Sequence, residues 1–240
     1  MKKIKGLLDH IFIDGLSGMA QGLFATLIIG TIIQQIGTLI GGPRGDMIFA
    51  VGKVAAALTG AGIGVGVAAK FKESYLVVVS AATAGMVGAF ASKLLAGTVL
   101  VDGTMVFAGP GEPLGAFLAA YIGIECGHLV AGKTKVDILV TPIVTIGTGS
   151  LVGLLVGPGV SKIMTSLGAM INWGVEQQPF LMGIVVSVLM GMILTLPISS
   201  AALGIILNLS GLAAGAATVG CCCNMVGFAV ASYRENKIGG

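Results

Sequence analysis

The sequence predicts an all-α protein: a polytopic transmembrane helical bundle of about six to eight spans, with a proline-broken hairpin in its C-terminal half. Three observations predict this. Charged residues make up 10% of the 240 residues, against about 25% in a soluble domain. Uncharged runs are long: Gly15 to Pro43, Ile138 to Ser161 and Gln177 to Tyr233 contain no charge. A spanning helix needs about 20 apolar residues, so the last run can enter or cross a bilayer more than once. Finally, 40 residues are glycine, with no three-residue period, which suits membrane helices whose backbones approach closely. The runs do not alternate in polarity, which argues against an outer-membrane barrel.

The elements follow in chain order. Leu16 to Ile36 forms the first helix, Met47 to Ala69 the second and Tyr75 to Ala96 the third. Gly109-Pro110-Gly111-Glu112-Pro113 then forbids regular helix and forms a loop. Leu114 to Val130 and Ile138 to Val156 are the fourth and fifth helices, followed by an irregular stretch to Pro179. Two short apolar pieces, Phe180 to Leu196 and Ile198 to Leu209, are split by Pro197. Such half-length pieces serve transporters at midplane sites. Leu212 to Ala231 closes the series. No stretch makes an independent soluble domain, so residues 1–240 are expected to form a single membrane-embedded domain.

The cations sort by side. Lys2, Lys3, Lys5, Lys70, Lys72, Lys133, Lys135, Arg234 and Lys237 fall at one set of helix ends, and only Arg44 and Lys162 at the other. The positive-inside rule then puts the N-terminus in the cytoplasm. It also favours a hairpin or a pair of crossings over one crossing between Phe180 and Leu209, since one crossing would leave Arg234 and Lys237 outside.

The net charge of +3 gives no reason to expect nucleic acid. Cys126, Cys221, Cys222 and Cys223 read as small hydrophobes rather than a metal or redox site. No metal, cofactor or catalytic residue is expected. The basic N-terminus is interrupted by Asp9, His10 and Asp14, unlike a cleavable signal.

Several residues invite a functional reading beside a plainer one. Lys53 and Lys93 lie within spans but near their ends, where they can snorkel. Gly60, Gly62, Gly64 and Gly66 mimic a phosphate loop on paper, but an apolar helix makes them packing positions. Glu112 is either a solvated turn residue or a binding carboxylate. Glu125 and His128 share one helix face, as a functional pair or a structural one. Asn172, Trp173, Glu176, Gln177 and Gln178 concentrate polarity before the longest apolar run. Carboxylate and amide groups suit sugar hydroxyls, although an interfacial loop with a belt tryptophan has the same composition. Thr195, Pro197, Ser199 and Ser200, with Asn208 beyond, interrupt that run. Pro197 frees a carbonyl, which at membrane depth must be buried in protein or line a cavity.

Gly109 to Gly115, Thr141-Pro142-Ile143-Val144-Thr145, Gly157-Pro158-Gly159-Val160 and the Glu176 to Ser200 region together resemble enzyme IIC, the membrane subunit of bacterial phosphoenolpyruvate-dependent sugar phosphotransferase systems. The sequence looks most like the compact branch that includes perfringolysin-regulator-like proteins, and more distantly like fructose-type enzyme IIC. The resemblance implies a multi-pass protein of the bacterial cytoplasmic membrane that forms a homodimer. It implies sugar binding from outside, translocation, and phosphorylation by a separate phosphorylated enzyme IIB served by enzyme IIA. Carried over to this sequence, it implies a sugar site at Glu176, Gln177, Asn172, Thr195, Pro197, Ser199 and Ser200, with Glu112 as a further member. Family patterns continue with more hydrophobic segments than this sequence has before Gly240, so a truncated or split version is expected. With only His10 and His128 present, any phosphotransfer needs a partner. Two other readings stay open: an ion-coupled secondary transporter using Lys93, Glu125 and His128, and a membrane sensor or regulator without turnover.

Overall fold

The computed structural model describes residues 10–101, 104–107, 109–194, 204, 207 and 209–236. They build helices almost throughout. The helix α1 (Ile13–Ile40) is preceded and interrupted by wide π turns at His10–Gly15 and Phe24–Ile28. Then follow α2 (Gly42–Ala57), α3 (Thr59–Lys70), α4 (Tyr75–Ala89), the short α5 (Ala91–Leu95), and an antiparallel ribbon of β1 (Leu100–Val101) and β2 (Thr104–Met105). After the ribbon come α6 (Pro113–Val130), α7 (Asp137–Gln177), α8 (Pro179–Ile193) and α9 (Gly211–Asn236).

Among the described residues four helices are long and apolar enough to cross a membrane: α1, α6, α7 and α9 up to Tyr233. A fifth span results if the bent pair α2 and α3 counts as one, and α4 and α8 are shorter apolar helices. The all-α membrane bundle is therefore the observed fold.

The differences from the sequence reading have local causes. The expected helix Met47 to Ala69 is two helices, bent by 52°. At the break the Thr59 hydroxyl donates to the Ala56 carbonyl at 2.6 Å and is itself buried. A side chain inserted into the backbone ladder in this way is a known cause of kinks. The third helix likewise stops at Ala89, where Phe90 leaves helical geometry, and resumes as α5. The expected irregular stretch before Pro179 is instead helical as far as Gln177, with Pro142 and Pro158 inside α7. A proline removes one helix hydrogen bond but does not always end a helix held by neighbours. The expected Pro197 hairpin lies outside the described residues.

The chain divides into two compact units, Met1–Ser161 and Lys162–Gly240. In the first, α1 packs on α2 and α3, α3 on α4 and α6, and α4 on α6. Its core sets small residues beside large ones: Ala68, Ala81, Ala84, Ala116, Ala119 and Ala120 are fully buried with Leu23, Ile63, Phe90 and Ile124. Glycine lets these backbones meet. A Cβ on Gly18 would stand 2.7 Å from the Gly66 carbonyl oxygen, and one on Gly149 2.6 Å from that of Ala119. At Gly64 the obstacle would be the Ala81 carbonyl. The packing role of Gly60, Gly62, Gly64 and Gly66 is thus realised.

In the second unit α8 packs on α9. Val175, Val186, Met190, Ala213 and Ala217 form a buried cluster. Asn224 donates to the Gly191 carbonyl at 2.7 Å. Cys221 is half-buried and within 3.7 Å of the Met190 carbonyl. Cys222 and Cys223 are exposed, so they are not the buried hydrophobes that the sequence suggested.

Candidate substrate site

The first polar centre is at the start of α6. Gly109 and Gly111 take positive φ (81° and 72°), which only glycine adopts without cost. Gly111 also lies against Ala89, where a Cβ would come within 2.8 Å of its carbonyl oxygen. The Glu112 N–H donates to that same carbonyl at 2.7 Å. Two prolines and two glycines therefore pin the Glu112 backbone to the end of α4. Its side chain is half-buried, and Oε1 is buried with no hydrogen-bond partner among the described residues. Burial raises the Glu112 pKa above the ordinary carboxylate value, and the Leu114 N–H and the Ser161 hydroxyl partly offset the rise. Close by in sequence, Phe90 stacks at a tilt on Phe107 with centroids 5.0 Å apart, and the Lys93 ammonium lies 5.4 Å from the Phe90 ring.

The second polar centre is the C-terminal end of α7. Glu176 and Gln177 are exposed, and Trp173 is also largely exposed. Asn172 is engaged: its Oδ1 accepts the Ser210 N–H at 3.2 Å and so ties the start of α9 to α7. Pro179 opens α8 at its first turn, where no N–H is required. Thr195, Pro197, Ser199, Ser200 and Asn208 lie outside the described residues.

Two further polar groups emerge only in three dimensions. Thr141 and Thr145, in the motif that carries the family resemblance, are fully buried within the first unit. Thr141 donates to Asp137 at 2.6 Å, and Asp137 also accepts the Gly132 N–H at 2.9 Å. Thr145 Oγ1 and Ser150 Oγ are buried without partners among the described residues.

Glu125 and His128 do share a helix face but each has a distant partner. His10 Nε2 is 3.3 Å from Glu125 Oε1, and His128 Nδ1 is 2.8 Å from Glu73 Oε1. No sequence spacing could have paired them, because the partners lie on α6 and on segments remote in the chain. Lys53 lies 5.4 Å from the Phe49 ring, a cation–π contact. Lys93, Glu125 and His128 are therefore held by different groups.

Long apolar helices locked by glycine, with buried threonine hydroxyls and a carboxylate oxygen buried at the start of α6, define a multi-pass helical membrane protein. Residues 13–240 match the family described as Phosphotransferase system, EIIC, and the chain belongs to that family. It is a sugar-transport component of a phosphotransferase system in the cytoplasmic membrane. Comparison with curated proteins and with solved structures gives no match.

Proposed function

We propose that this chain binds a sugar and translocates it to a separate phosphorylated enzyme IIB, and that Glu112 is a principal acceptor of a sugar hydroxyl. The observation that carries the reading is the Glu112 Oε1 atom, buried and without a partner among the described residues. An unsatisfied buried carboxylate oxygen is costly, and a ligand hydroxyl would satisfy it. The rigid Gly-Pro frame keeps that oxygen in place before ligand arrives. Glu176 and Gln177, exposed at the end of α7, are proposed as further sugar contacts, with Thr195, Pro197, Ser199 and Ser200. Asn172 supports them by holding the start of α9.

The remaining features of the proposal rest on sequence. The N-terminus is cytoplasmic by the distribution of lysine and arginine. The two units act together as one membrane-embedded domain, and the protein works as a homodimer. The motif order supports the compact branch with perfringolysin-regulator-like proteins, more distantly related to fructose-type enzyme IIC.

Uptake of labelled sugar, with enzyme IIB present, tests the site. Glu112→Ala and Glu176→Ala should each lower uptake at least tenfold at equal membrane abundance. Unchanged uptake removes the altered residue from the site. Uptake that persists without enzyme IIB and collapses with the proton gradient would replace the reading by ion-coupled transport. Ligand binding without uptake would make the protein a sensor.

A further inference from the structure

We propose that an open cleft in the first unit, remote in sequence from Glu112, binds a small phosphorylated polyol such as a hexose phosphate. The cleft has a volume of about 710 Å³, within the roughly 300–1,000 Å³ of small-molecule sites. His10, Asp14 and Gln21 line it from the start of α1, and Lys70, Phe71 and Lys72 from the end of α3. Lys72 closes that helix in the left-handed conformation (φ 58°), a position that glycine or asparagine usually takes.

The lining matches one ligand chemistry. Lys70 and Lys72 supply two ammonium groups, and neither is in an ion pair among the described residues. The neighbouring acids face other groups: Glu125 meets His10, and Glu73 meets His128. Among the described residues one carboxylate, Asp14, remains on the cleft wall. Among the described lining residues two cations against one acid favour an anion, and lysine is a common phosphate binder. Asp14 and Gln21 accept and donate to hydroxyls. His10 lies flat on Phe71, with centroids 4.0 Å apart and planes 23° from parallel. Phe71 in turn meets the Tyr121 ring edge-on at 6.0 Å. This aromatic stack, held by Glu125, makes a rigid wall. The choice of a polyol rests on the sugar-transport reading, whereas the anion rests on the lysines alone. If the cleft is cytoplasmic, as proposed, it would report the phosphorylated product back to the transporter.

The test is isothermal titration of the full chain in phosphatidylcholine nanodiscs. The probes are glucose 6-phosphate, fructose 1-phosphate, the two free hexoses and inorganic phosphate. At least one hexose phosphate should bind at least tenfold more tightly than its free hexose and than inorganic phosphate. The pair Lys70→Ala, Lys72→Ala should weaken it at least tenfold. Gln21→Leu should weaken the hexose phosphate severalfold and leave inorganic phosphate unchanged. Absence of hexose phosphate binding overturns the proposal, as does binding that both variants leave intact. Equal binding of inorganic phosphate reduces the cleft to a simple anion site and also overturns it. Displacement of the hexose phosphate by phosphatidylglycerol in the nanodisc would assign the cleft to a lipid headgroup instead. Labelled-sugar uptake tests the transport reading separately: a chain without uptake that still binds hexose phosphate upholds the cleft.

Discussion

The two units of this protein share one packing device and rely on it to different degrees. In Met1–Ser161 glycine brings helix backbones together at crossing after crossing, as at Gly18 with Gly66, Gly64 with Ala81 and Gly149 with Ala119. In Lys162–Gly240 a glycine contact also joins α8 and α9, where a Cβ on Gly220 would meet the Ser187 carbonyl, but beside it Val175, Val186 and Met190 form a side-chain cluster with Ala213 and Ala217. The difference concerns tolerance. In lipid there is little hydrophobic force between helices, so association depends on close contact and interhelical hydrogen bonds. Backbone contact leaves no room for an added methyl, whereas a side-chain cluster can repack.

Gly64→Val would test the first half of that comparison most severely. A Cβ at Gly64 would meet the Ala81 carbonyl, a backbone atom that cannot step aside. The first unit should lose about 3 kcal/mol or more, beyond the usual cost of overpacking, seen as a large fall in thermal midpoint in detergent. A midpoint unchanged by this substitution would refute the backbone-contact account.

Met190→Ala probes the second half. It removes a buried side chain from the smaller cluster and should cost roughly 2–3 kcal/mol. Replacement by leucine should recover most of that, because volume-conserving exchanges cost little. Failure of leucine to rescue would mean that this unit is as rigid as the first.

A pH profile of uptake would sharpen the contrast between Glu112 and Glu176. A hydroxyl acceptor must be ionised to accept through both oxygens, and burial raises the Glu112 pKa. Protonation therefore sets in at a higher pH than for an ordinary carboxylate, so uptake should fall already on mild acidification. Glu112→Gln should flatten that acid limb. An acid limb that survives in the variant belongs to another group.

Asn172→Ala should have the smallest effect. It deletes the bond from the Ser210 N–H and should cost about 1 kcal/mol, measured by the same thermal unfolding. A loss of uptake far exceeding the loss of stability would instead give Asn172 a direct part in sugar binding.

Much of the architecture was legible in the sequence for a physical reason. A bilayer demands long uncharged helices whose backbone groups are satisfied internally, so the uncharged runs announce them. The helix Leu114 to Val130 was readable almost to the residue, and the final helix was readable at its start, although it runs on past Ala231 to Asn236. The glycine series of α3 was readable as packing. Proline was a poorer guide near the end of the fifth expected helix, since α7 runs on through Pro158 beyond Val156.

By itself, then, the sequence determined the fold class and the approximate helices, because composition and run length respond to the solvent and not to neighbours, while its motifs carried the family resemblance. Only the tertiary structure decided where the polar groups point. Glu125 and His128, three residues apart, turn to His10 and Glu73. Asn172, grouped in the sequence with Glu176, fastens Ser210 while Glu176 stays exposed. Glu112, one acid in a turn, has an oxygen buried without a partner among the described residues. A hydrogen bond depends on distances of a few ångströms, which are set by packing between segments far apart in the chain.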